Sequence, residues 1–324
     1  MKYKVSVIIP VYGAERYIER CARSLFEQSL KEIEFIFVND CTPDQSMEIL
    51  RRVLKSYPNR ADDTKIINLP ANLGSAIARQ EAIKLSHGEY IIHCDSDDWM
   101  DLQAYEHMYE KAKGENADVV ITDYFITDGK TKTVWENLHS CDRDKWINDM
   151  LYLRTSWSVC NKLIRHTIYD QIKFYPTYSM GEDSAMMLQM AYYCTRIVYT
   201  DTPLYYYYRN PNSIVNSTSK ESQLKKFNEA VSNCKLVLDF YHDKPDCKVF
   251  AHGLNNFCYH AKSLILPLAH DRKYRMIWSN TFPHIEQAII FDRYSTCKNR
   301  IKSLLTILGL YPWHTIRLGI NKCI

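Results

Sequence analysis

The first 125 residues alternate between short apolar runs and longer amphipathic segments. Val5 to Val11 is an apolar run, as a buried parallel strand should be, and a helical pattern follows from about Glu15. The alternation then repeats, with strands predicted at 34–38, 65–69, 90–94 and 118–123 and helices at 44–57, 73–86 and 101–115. This order predicts an α/β fold with a doubly wound, mostly parallel sheet, in which ligands bind beyond the carboxyl ends of the strands.

A cluster of acids, Asp95-Ser96-Asp97-Asp98, follows the fourth of these strands. Because side chains alternate along a strand, Asp95 and Asp97 should point to the same side, about 6–7 Å apart. At that spacing, and with an effective dielectric of about 20, two carboxylates repel by about 2.5–3 kcal/mol. A divalent cation, Mg²⁺ or Mn²⁺, carrying a phosphate ligand would relieve the repulsion. The alternative is a solvated acidic turn before the next helix.

The glycines exclude two common ways of holding a phosphate. The chain has only nine, and none fits the G-x-G-x-x-G pattern of dinucleotide-binding domains or the G-x-x-x-x-G-K pattern of P-loops. Both patterns need glycine because backbone N–H groups must come close to the phosphate oxygens. Without such a loop, we expect the cation to bind a diphosphate, with Asp97 as its ligand and Asp95 beside it.

The composition is that of an ordinary globular protein. Of the 324 residues 46% are hydrophobic, and no run of 18 apolar residues predicts a membrane-spanning helix. The eleven cysteines include no C-x-x-C pair and cannot all pair with one another, which favours a reducing compartment. We therefore expect a cytoplasmic location, and we expect no nucleic-acid partner.

From about residue 220 the pattern predicts helices only. The last part, 293–324, carries six basic residues and no Asp or Glu. Apolar residues recur there at the i, i+3, i+4 and i+7 positions of one helix face, at Ile301, Leu304, Leu305 and Leu308. A basic amphipathic helix of this kind can lie reversibly on an anionic membrane, here the inner face of the plasma membrane. The alternative is a helix that packs on the rest of the protein and leaves its basic side solvated.

Several short motifs occur in a fixed order over roughly residues 3–215. They are VSVIIPVY at 5–12, FIFVNDCTPD at 35–44, Asn72-Leu73-Gly74 with Ala78-Arg79, GEYII at 88–92 running into Asp95-Ser96-Asp97-Asp98, Asn161-Lys162-Leu163 and Gly181-Glu182-Asp183. In these motifs the chain resembles the family 2 glycosyltransferases of bacterial polysaccharide and lipid-glycan synthesis, which adopt the GT-A fold. It departs from the usual pattern of the nucleotide loops at Gly13, Cys41, Pro43 and Gln80.

The resemblance implies a domain arrangement and an activity. Residues 1–220 would form a GT-A-like catalytic domain, with a nucleotide-sugar half at about 1–125 and an acceptor half at 126–220. Residues 221–324 would form a helical C-terminal region that ends in the basic tail. The implied reaction is an inverting, metal-dependent transfer of a sugar from a UDP-sugar to a hydroxyl of a glycan or lipid-linked acceptor. A sugar-phosphate nucleotidyltransferase and a catalytically inactive nucleotide- or glycan-binding module stay open as alternatives.

The resemblance also implies roles for single residues. Asp183 is the expected general base, although a position at the start of a helix favours its charged form, whereas desolvation favours the protonated one. Asp40 would accept a hydrogen bond from the uracil N–H, and Arg79 would contact the base or the diphosphate. The remaining donor-binding residues would be Val11, Tyr12, Asn72, Ser96 and Arg209, beside Asp95 and Asp97 at the metal. The alternative for Asp183 is an ordinary acid in the first turn of a helix.

Overall fold

The computed structural model describes residues 2–210 and 218–310. The strands are β1 Val5–Val11, β2 Ile33–Asn39, β3 Thr64–Asn68, β4 Tyr90–His93, β5 Trp99–Met100, β6 Val119–Ile121, β7 Tyr124–Thr127, β8 Lys132–Trp135, β9 Lys162–Arg165, β10 Ile197–Tyr199 and β11 Tyr205–Tyr208. The helices are α1 Ile18–Phe26, α2 Ser46–Lys55, α3 Ser75–Lys84, α4 Ala104–Gly114, α5 Arg143–Leu151, α6 His166–Tyr169, α7 Glu182–Tyr193, α8 Lys220–His242, α9 Cys247–Ser263, α10 Arg272–Asn280, α11 Ile285–Phe291 and α12 Cys297–Ile307.

The main sheet has seven strands in the order β10-β6-β9-β4-β1-β2-β3. Strands β3, β2, β1 and β4 run parallel, and β10 pairs parallel with β6. Strand β9 lies antiparallel between β4 and β6. The predicted α/β fold with a doubly wound, mostly parallel sheet is therefore confirmed.

Continuous apolar strands form this sheet because helices cover it. Strand β1 is buried except at Pro10, and helix α1 buries Ile18, Cys21 and Leu25. Helix α3 packs on β1 and β2, and α1 packs on α2. Up to residue 125 the strands end within two residues of their predicted bounds and the helices within three.

A second sheet of four strands has the order β5-β11-β7-β8. Strand β11 pairs parallel with β7 and antiparallel with β5, and β7 and β8 form an antiparallel hairpin. Most of this sheet was not predicted. Strand β5 has only two residues, and β8 is exposed along its whole length, so neither carries an apolar pattern.

The predicted C-terminal helical extension begins with α8. Helices α8 and α9 pack on each other, α8 also packs on α7, and α9 packs on α5 and α11. The predicted division into domains at residue 220 stays a prediction. Of the basic tail, residues 311–324 lie outside the described residues. In the part of the chain that the structure describes, we find no helix with the length and hydropathy needed to cross a bilayer.

Candidate active site

Asp40 follows β2 and is buried, with 3% of its surface exposed. Its carboxylate accepts the backbone N–H groups of Leu73, at 2.7 Å, and Gly74, at 2.9 Å. Gly74 has a φ of +88°, and a Cβ there would lie 2.6 Å from the Ser179 Oγ, so glycine is required at the start of α3. Asp40 therefore holds the loop before α3 to the end of β2. Its hydrogen bond to a uracil N–H stays a prediction.

Four further residues were predicted to bind the nucleotide-sugar donor: Val11, Tyr12, Asn72 and Arg209. Val11 is buried at the end of β1, and its carbonyl accepts the Asp40 N–H at 3.1 Å. Tyr12 and Asn72 are exposed. Arg209 is exposed as well, and its backbone N–H donates to the Thr127 carbonyl, so the structure ties its main chain to β7. The donor-binding roles of these four residues stay predictions.

The acid loop after β4 contains one residue with a structural role. Asp98 is buried, and its carboxylate accepts the Tyr205 hydroxyl and, at 2.7 Å, the Tyr208 backbone N–H. Asp98 thus attaches the loop to β11. Only Asp97 and Asp95 were predicted to hold the cation, and the third acid of the cluster, Asp98, already has neutral partners. Ser96, predicted to bind the donor, is buried in the same loop.

Asp95 and Asp97 have partners of a different kind. Asp95 accepts the Arg79 Nη2 at 2.6 Å with Oδ1, while its Oδ2 lies 3.3 Å from the Cys160 Sγ. Asp97 accepts the Asn210 side-chain amide at 2.9 Å. Burial, followed by the charge of Asp95, raises the pKa of Asp97. Sequence reasoning missed Asn210 and named its neighbour Arg209, because nothing local distinguishes the two.

Arg79 joins the acid loop to the start of α7. Its guanidinium is buried and contacts the carboxylates of Asp95 and Glu182 directly, and it lies 3.7 Å from the Asp183 Oδ1. Burial lowers the pKa of Arg79, but the charges of Asp95 and Asp183 outweigh it and raise that pKa overall. We call Arg79, Asp95, Glu182 and Asp183 the Arg79 cluster. In this structure Arg79 faces carboxylates, and its predicted contact with the donor stays a prediction.

Glu182 is a residue of this cluster to which the sequence analysis gave no role. Its second carboxylate oxygen accepts the Ser75 hydroxyl at 2.7 Å, which connects α7 to α3. The available signal was its position in the Gly181-Glu182-Asp183 motif. Gly181 has a φ of +80° and lets the chain turn directly into α7.

Asp183 lies in the first turn of α7, as predicted. Its Oδ2 accepts the Val159 N–H at 3.4 Å, and its Oδ1 is buried with no hydrogen bond from any described residue. Burial raises the pKa of Asp183; the charge of Arg79 opposes this and that of Asp95 adds to it. Desolvation is therefore the largest cause of this shift. The Asp183 side chain is 26% exposed, and a partly buried carboxylate with a raised pKa and one oxygen without a donor is suited to accept a proton.

Lys162 supports the loop that reaches Asp183. It is fully buried, and its ammonium donates to the carbonyls of Ser156, at 3.0 Å, and Ser158, at 2.7 Å, and to the Asn161 side chain at 2.7 Å. Burial lowers the pKa of Lys162 to about 7, although the charge of Asp183 opposes this. Lys162 therefore organises the 156–159 segment, whose Val159 N–H contacts the candidate base.

The fold and the site together define a GT-A-like protein, in which acids at a strand end are joined through an arginine to a partly buried carboxylate at the start of a helix. A profile of the family described as Glycosyl transferase family 2 matches residues 6–195. The chain belongs to this family of enzymes, and the resemblance inferred from its sequence motifs is confirmed.

Individual relatives agree with this membership. EpsJ of Bacillus subtilis (strain 168), described as an uncharacterized glycosyltransferase, is 30% identical over 219 residues, which are 65% of this chain. The chain matches only 62% of the length of EpsJ. S. aureus TarS 1–349 has a TM-score of 0.67 at 19% identity, covering 95% of this chain and 88% of that one.

Two further structures were solved with ligands. The same TarS fragment in complex with UDP-GlcNAc has a TM-score of 0.58 at 17% identity, covering 95% of this chain and 93% of that one. The mannosyltransferase PcManGT of Pyrobaculum calidifontis, in complex with GDP-Man and Mn²⁺, has a TM-score of 0.53 at 13% identity, covering 94% of this chain and 88% of that one. At these identities the likeness shows the fold alone.

Proposed function

We propose that the chain transfers a sugar from a UDP-sugar to a hydroxyl of a glycan or lipid-linked acceptor, with inversion and with a divalent metal. The observation that carries this proposal is Asp183, a partly buried carboxylate with a raised pKa and one oxygen that receives no hydrogen bond from the described residues. An acceptor hydroxyl loses its proton as it attacks the anomeric carbon, and such a carboxylate takes it. Attack from the face opposite the leaving diphosphate inverts the anomeric configuration.

The donor side is supported by its position in the sheet. Asp40 and Val11 lie at the ends of β2 and β1, and Asp95 and Asp97 follow β4, which is the next strand beyond β1. In our proposal the nucleoside lies at Asp40, Val11 and Tyr12, and the diphosphate lies toward Asp97. The complex of TarS with UDP-GlcNAc supports a UDP-linked donor.

The acid loop fits a divalent cation. Mg²⁺ is usually bound through one or two carboxylates together with substrate phosphates. The Asp97 carboxylate, whose pKa is raised by burial and by Asp95, accepts the neutral side-chain amide of Asn210 and is available to such an ion. Among the described residues no group of three or more His, Cys, Asp or Glu could hold a metal alone, so the diphosphate would complete the ligand set. When bound, the cation would neutralise charge on the leaving diphosphate.

The protein residues then position the reactants. Arg79 holds Asp95 and Asp183 in a fixed relation and balances part of their charge. The Val159 N–H orients the Asp183 carboxylate, and Lys162 fixes the segment that carries this N–H. The Asp183 carboxylate is thereby already oriented for the incoming hydroxyl and needs little rearrangement during the reaction.

The test is the substitution Asp183→Asn, with Asp201→Asn as a matched control because the Asp201 side chain is 84% exposed. Loss of a general base should lower transfer by about 10²–10⁴-fold. UDP binding, measured by calorimetry with Mn²⁺, should stay within about twofold, because an amide keeps the size of the side chain. The control should transfer normally. Normal transfer by Asp183→Asn would refute the assignment of the base.

The same preparation separates the alternatives. A nucleotidyltransferase would form a UDP-sugar from UTP and a sugar 1-phosphate, and an inactive module would bind UDP without releasing it from any UDP-sugar. Product configuration by NMR tests inversion, and removal of divalent cations with EDTA tests the metal. Restored transfer on addition of Mn²⁺ is the expected result.

Helix α12 supports the proposed membrane contact. Ile301, Leu304 and Leu308 are 57%, 47% and 60% exposed, so this apolar face is not packed on the rest of the described protein. Lys298 and Arg300 lie on the same helix. We place the protein in the cytoplasm, at the inner face of the plasma membrane. Co-sedimentation with phosphatidylglycerol vesicles, but not with phosphatidylcholine vesicles, is expected, and Leu304→Glu should abolish it.

A further inference from the structure

One face of the second sheet carries aromatic side chains next to the acid loop. Tyr205 pairs with Tyr124, and Tyr124 pairs with Trp135, so these three side chains lie on the same face. Tyr207 lies two residues beyond Tyr205 and shares that face, because side chains alternate along a strand. We call Tyr124, Trp135 and Tyr207 the aromatic platform.

The platform is contiguous and open. The rings of Tyr124 and Trp135 stack at an interplanar angle of 17°, with centroids 6.2 Å apart, and Tyr207 lies 6.4 Å from Tyr124. Trp135 is 44% exposed and Tyr207 is 42% exposed. Adjacent exposed aromatic side chains are a feature of interaction sites.

The platform adjoins the candidate active site at two points. At one end, the hydroxyl of Tyr205, on the same face, donates to Asp98 and accepts the Asp95 N–H at 3.5 Å. Partial burial, followed by the charges of Asp98, Asp95 and Asp97, raises the pKa of Tyr207 to about 12, which is consistent with this proximity. At the other point, the Tyr124 hydroxyl lies close to the side chain of Ser156, in the segment that leads to the Val159 N–H and Asp183.

The position of the platform separates it from the nucleoside side. In the main sheet the order β6-β9-β4-β1-β2 places Asp40, after β2, on one side of β4. Strand β7, which carries Tyr124, continues directly from β6 on the other side of β4. The acid loop after β4 therefore lies between the two, so a ligand on the platform would approach Asp95–Asp98 from the side opposite the nucleoside.

The polar groups nearby favour a carbohydrate over a lipid chain. Asp123, next to Tyr124, binds the Asn137 amide at 2.9 Å and the His139 ring at 3.2 Å, and the His139 side chain is 47% exposed. A pyranose ring has an apolar C–H face, which packs on aromatic rings, and an edge of hydroxyls, which needs hydrogen-bonding groups. An acyl chain carries no groups that could form hydrogen bonds with these side chains.

We propose that the platform binds a sugar ring of the acceptor, stacked on Trp135 and Tyr207, and so directs an acceptor hydroxyl toward Asp183. This rests on the proposed function and adds the substrate class and the residues that select it. Trp135 and Tyr207 are positioning residues, since the reacting atoms lie at Asp183.

The experiment uses Trp135→Ala and Tyr207→Ala, with Val134→Ala as the matched control. Val134 is 47% exposed and lies on the same strand as Trp135, but on the opposite face. The 324-residue chain is applied to a microarray of bacterial surface glycans in the presence of UDP and Mn²⁺. Wild type and Val134→Ala should bind at least one glycan, and each aromatic-to-alanine variant should lose at least about tenfold in binding. Trp135→Phe should recover most of it, because it restores an aromatic face.

UDP binding, measured by calorimetry in the same variants, separates a failure of the platform from a failure of the proposed function. Unchanged UDP affinity with lost glycan binding supports the platform. Equal glycan binding by wild type and both alanine variants, or no glycan binding by wild type while UDP binds, overturns the platform alone. Absence of UDP binding in wild type overturns the proposed function itself. Preferential binding of the wild type to phosphatidylglycerol vesicles through the platform would assign these rings to a lipid and would also overturn it.

Discussion

The charge of Asp183 acts to raise the pKa of two buried cations, Arg79 and Lys162, whose other surroundings are opposite in kind. Arg79 lies among the carboxylates of Asp95, Glu182 and Asp183, which raise its pKa despite burial. Lys162 donates to three neutral oxygens, which do not compensate its charge, and its pKa falls to about 7. Arg79 is a permanent charge that balances three carboxylates, whereas Lys162 is a structural residue whose charge depends on pH.

The difference shows what a partner's charge does in a buried site. A partner of opposite charge stabilises the ionised form of a buried group, and removal of either partner then destabilises the fold strongly. A neutral partner satisfies hydrogen bonds but leaves the cost of desolvation. Asp40 is the anionic counterpart of Lys162, because its carboxylate accepts hydrogen bonds from two neutral backbone N–H groups. The following predictions test this comparison.

The largest effect is expected for Arg79→Met. This change leaves three carboxylates near one another with no cation, and breaking a buried ion pair costs about 3–5 kcal/mol. Urea unfolding should show that loss in the free energy of unfolding, and transfer should be abolished. Arg79→Lys, which keeps the charge but loses the fork of donors, should recover part of the stability. A loss below about 1 kcal/mol for Arg79→Met would show that the cluster does not depend on this cation.

A smaller effect is expected for Asp40→Asn. Asparagine has one carbonyl oxygen, so either the Leu73 or the Gly74 N–H would face an amide donor and lose its acceptor. An unsatisfied buried donor costs about 1–3 kcal/mol. Urea unfolding measures the loss, and UDP affinity should fall as well, because the loop before α3 is released. Asp62→Asn, at an exposed position, should change neither quantity.

The smallest effect concerns the pH dependence that Lys162 adds to stability. The folded state loses this proton near pH 7, whereas the unfolded chain keeps it until about 10.5. Between these values the unfolded state binds more protons, so stability rises with pH, by at most about 1.4 kcal/mol per unit. Unfolding curves from pH 6.5 to 9 should show this slope for wild type and a weaker one for Lys162→Met. The exposed control Lys130→Met should keep the wild-type slope, and an unchanged slope in Lys162→Met would contradict the lowered pKa.

Sequence patterns predicted the main sheet well because the relevant signals are local. A buried parallel strand is apolar along its length, as in Val5–Val11, and a helix repeats its apolar face every three or four residues. Strand β9, Lys162–Arg165, was not predicted, because its place between β4 and β6 depends on pairing with segments more than 40 residues away. The two-residue strand β5 and the exposed strand β8 carry no such pattern.

The candidate site was likewise predicted from the sequence only in part. The acid loop after β4 and the Gly181-Glu182-Asp183 motif were recognised from the sequence, since the residue types and their order suffice for that. The contacts that each acid makes were not predicted. Asp98 holds β11, Asp97 contacts Asn210, and Asp95 contacts Arg79. The partners lie 16 to 113 residues away in the chain, and no local spacing predicts them.

The amino-acid sequence by itself determined the α/β class, the order of the helices and of all strands but β5 up to residue 125, the family and the residue types gathered at the strand ends, because these depend on periodicity and on short motifs. Only the tertiary structure decided which carboxylate meets which donor, which of two buried cations stays charged, and which aromatic face stays open beside the acid loop. Those outcomes depend on desolvation and on contacts between distant segments, and both arise only when the chain has folded.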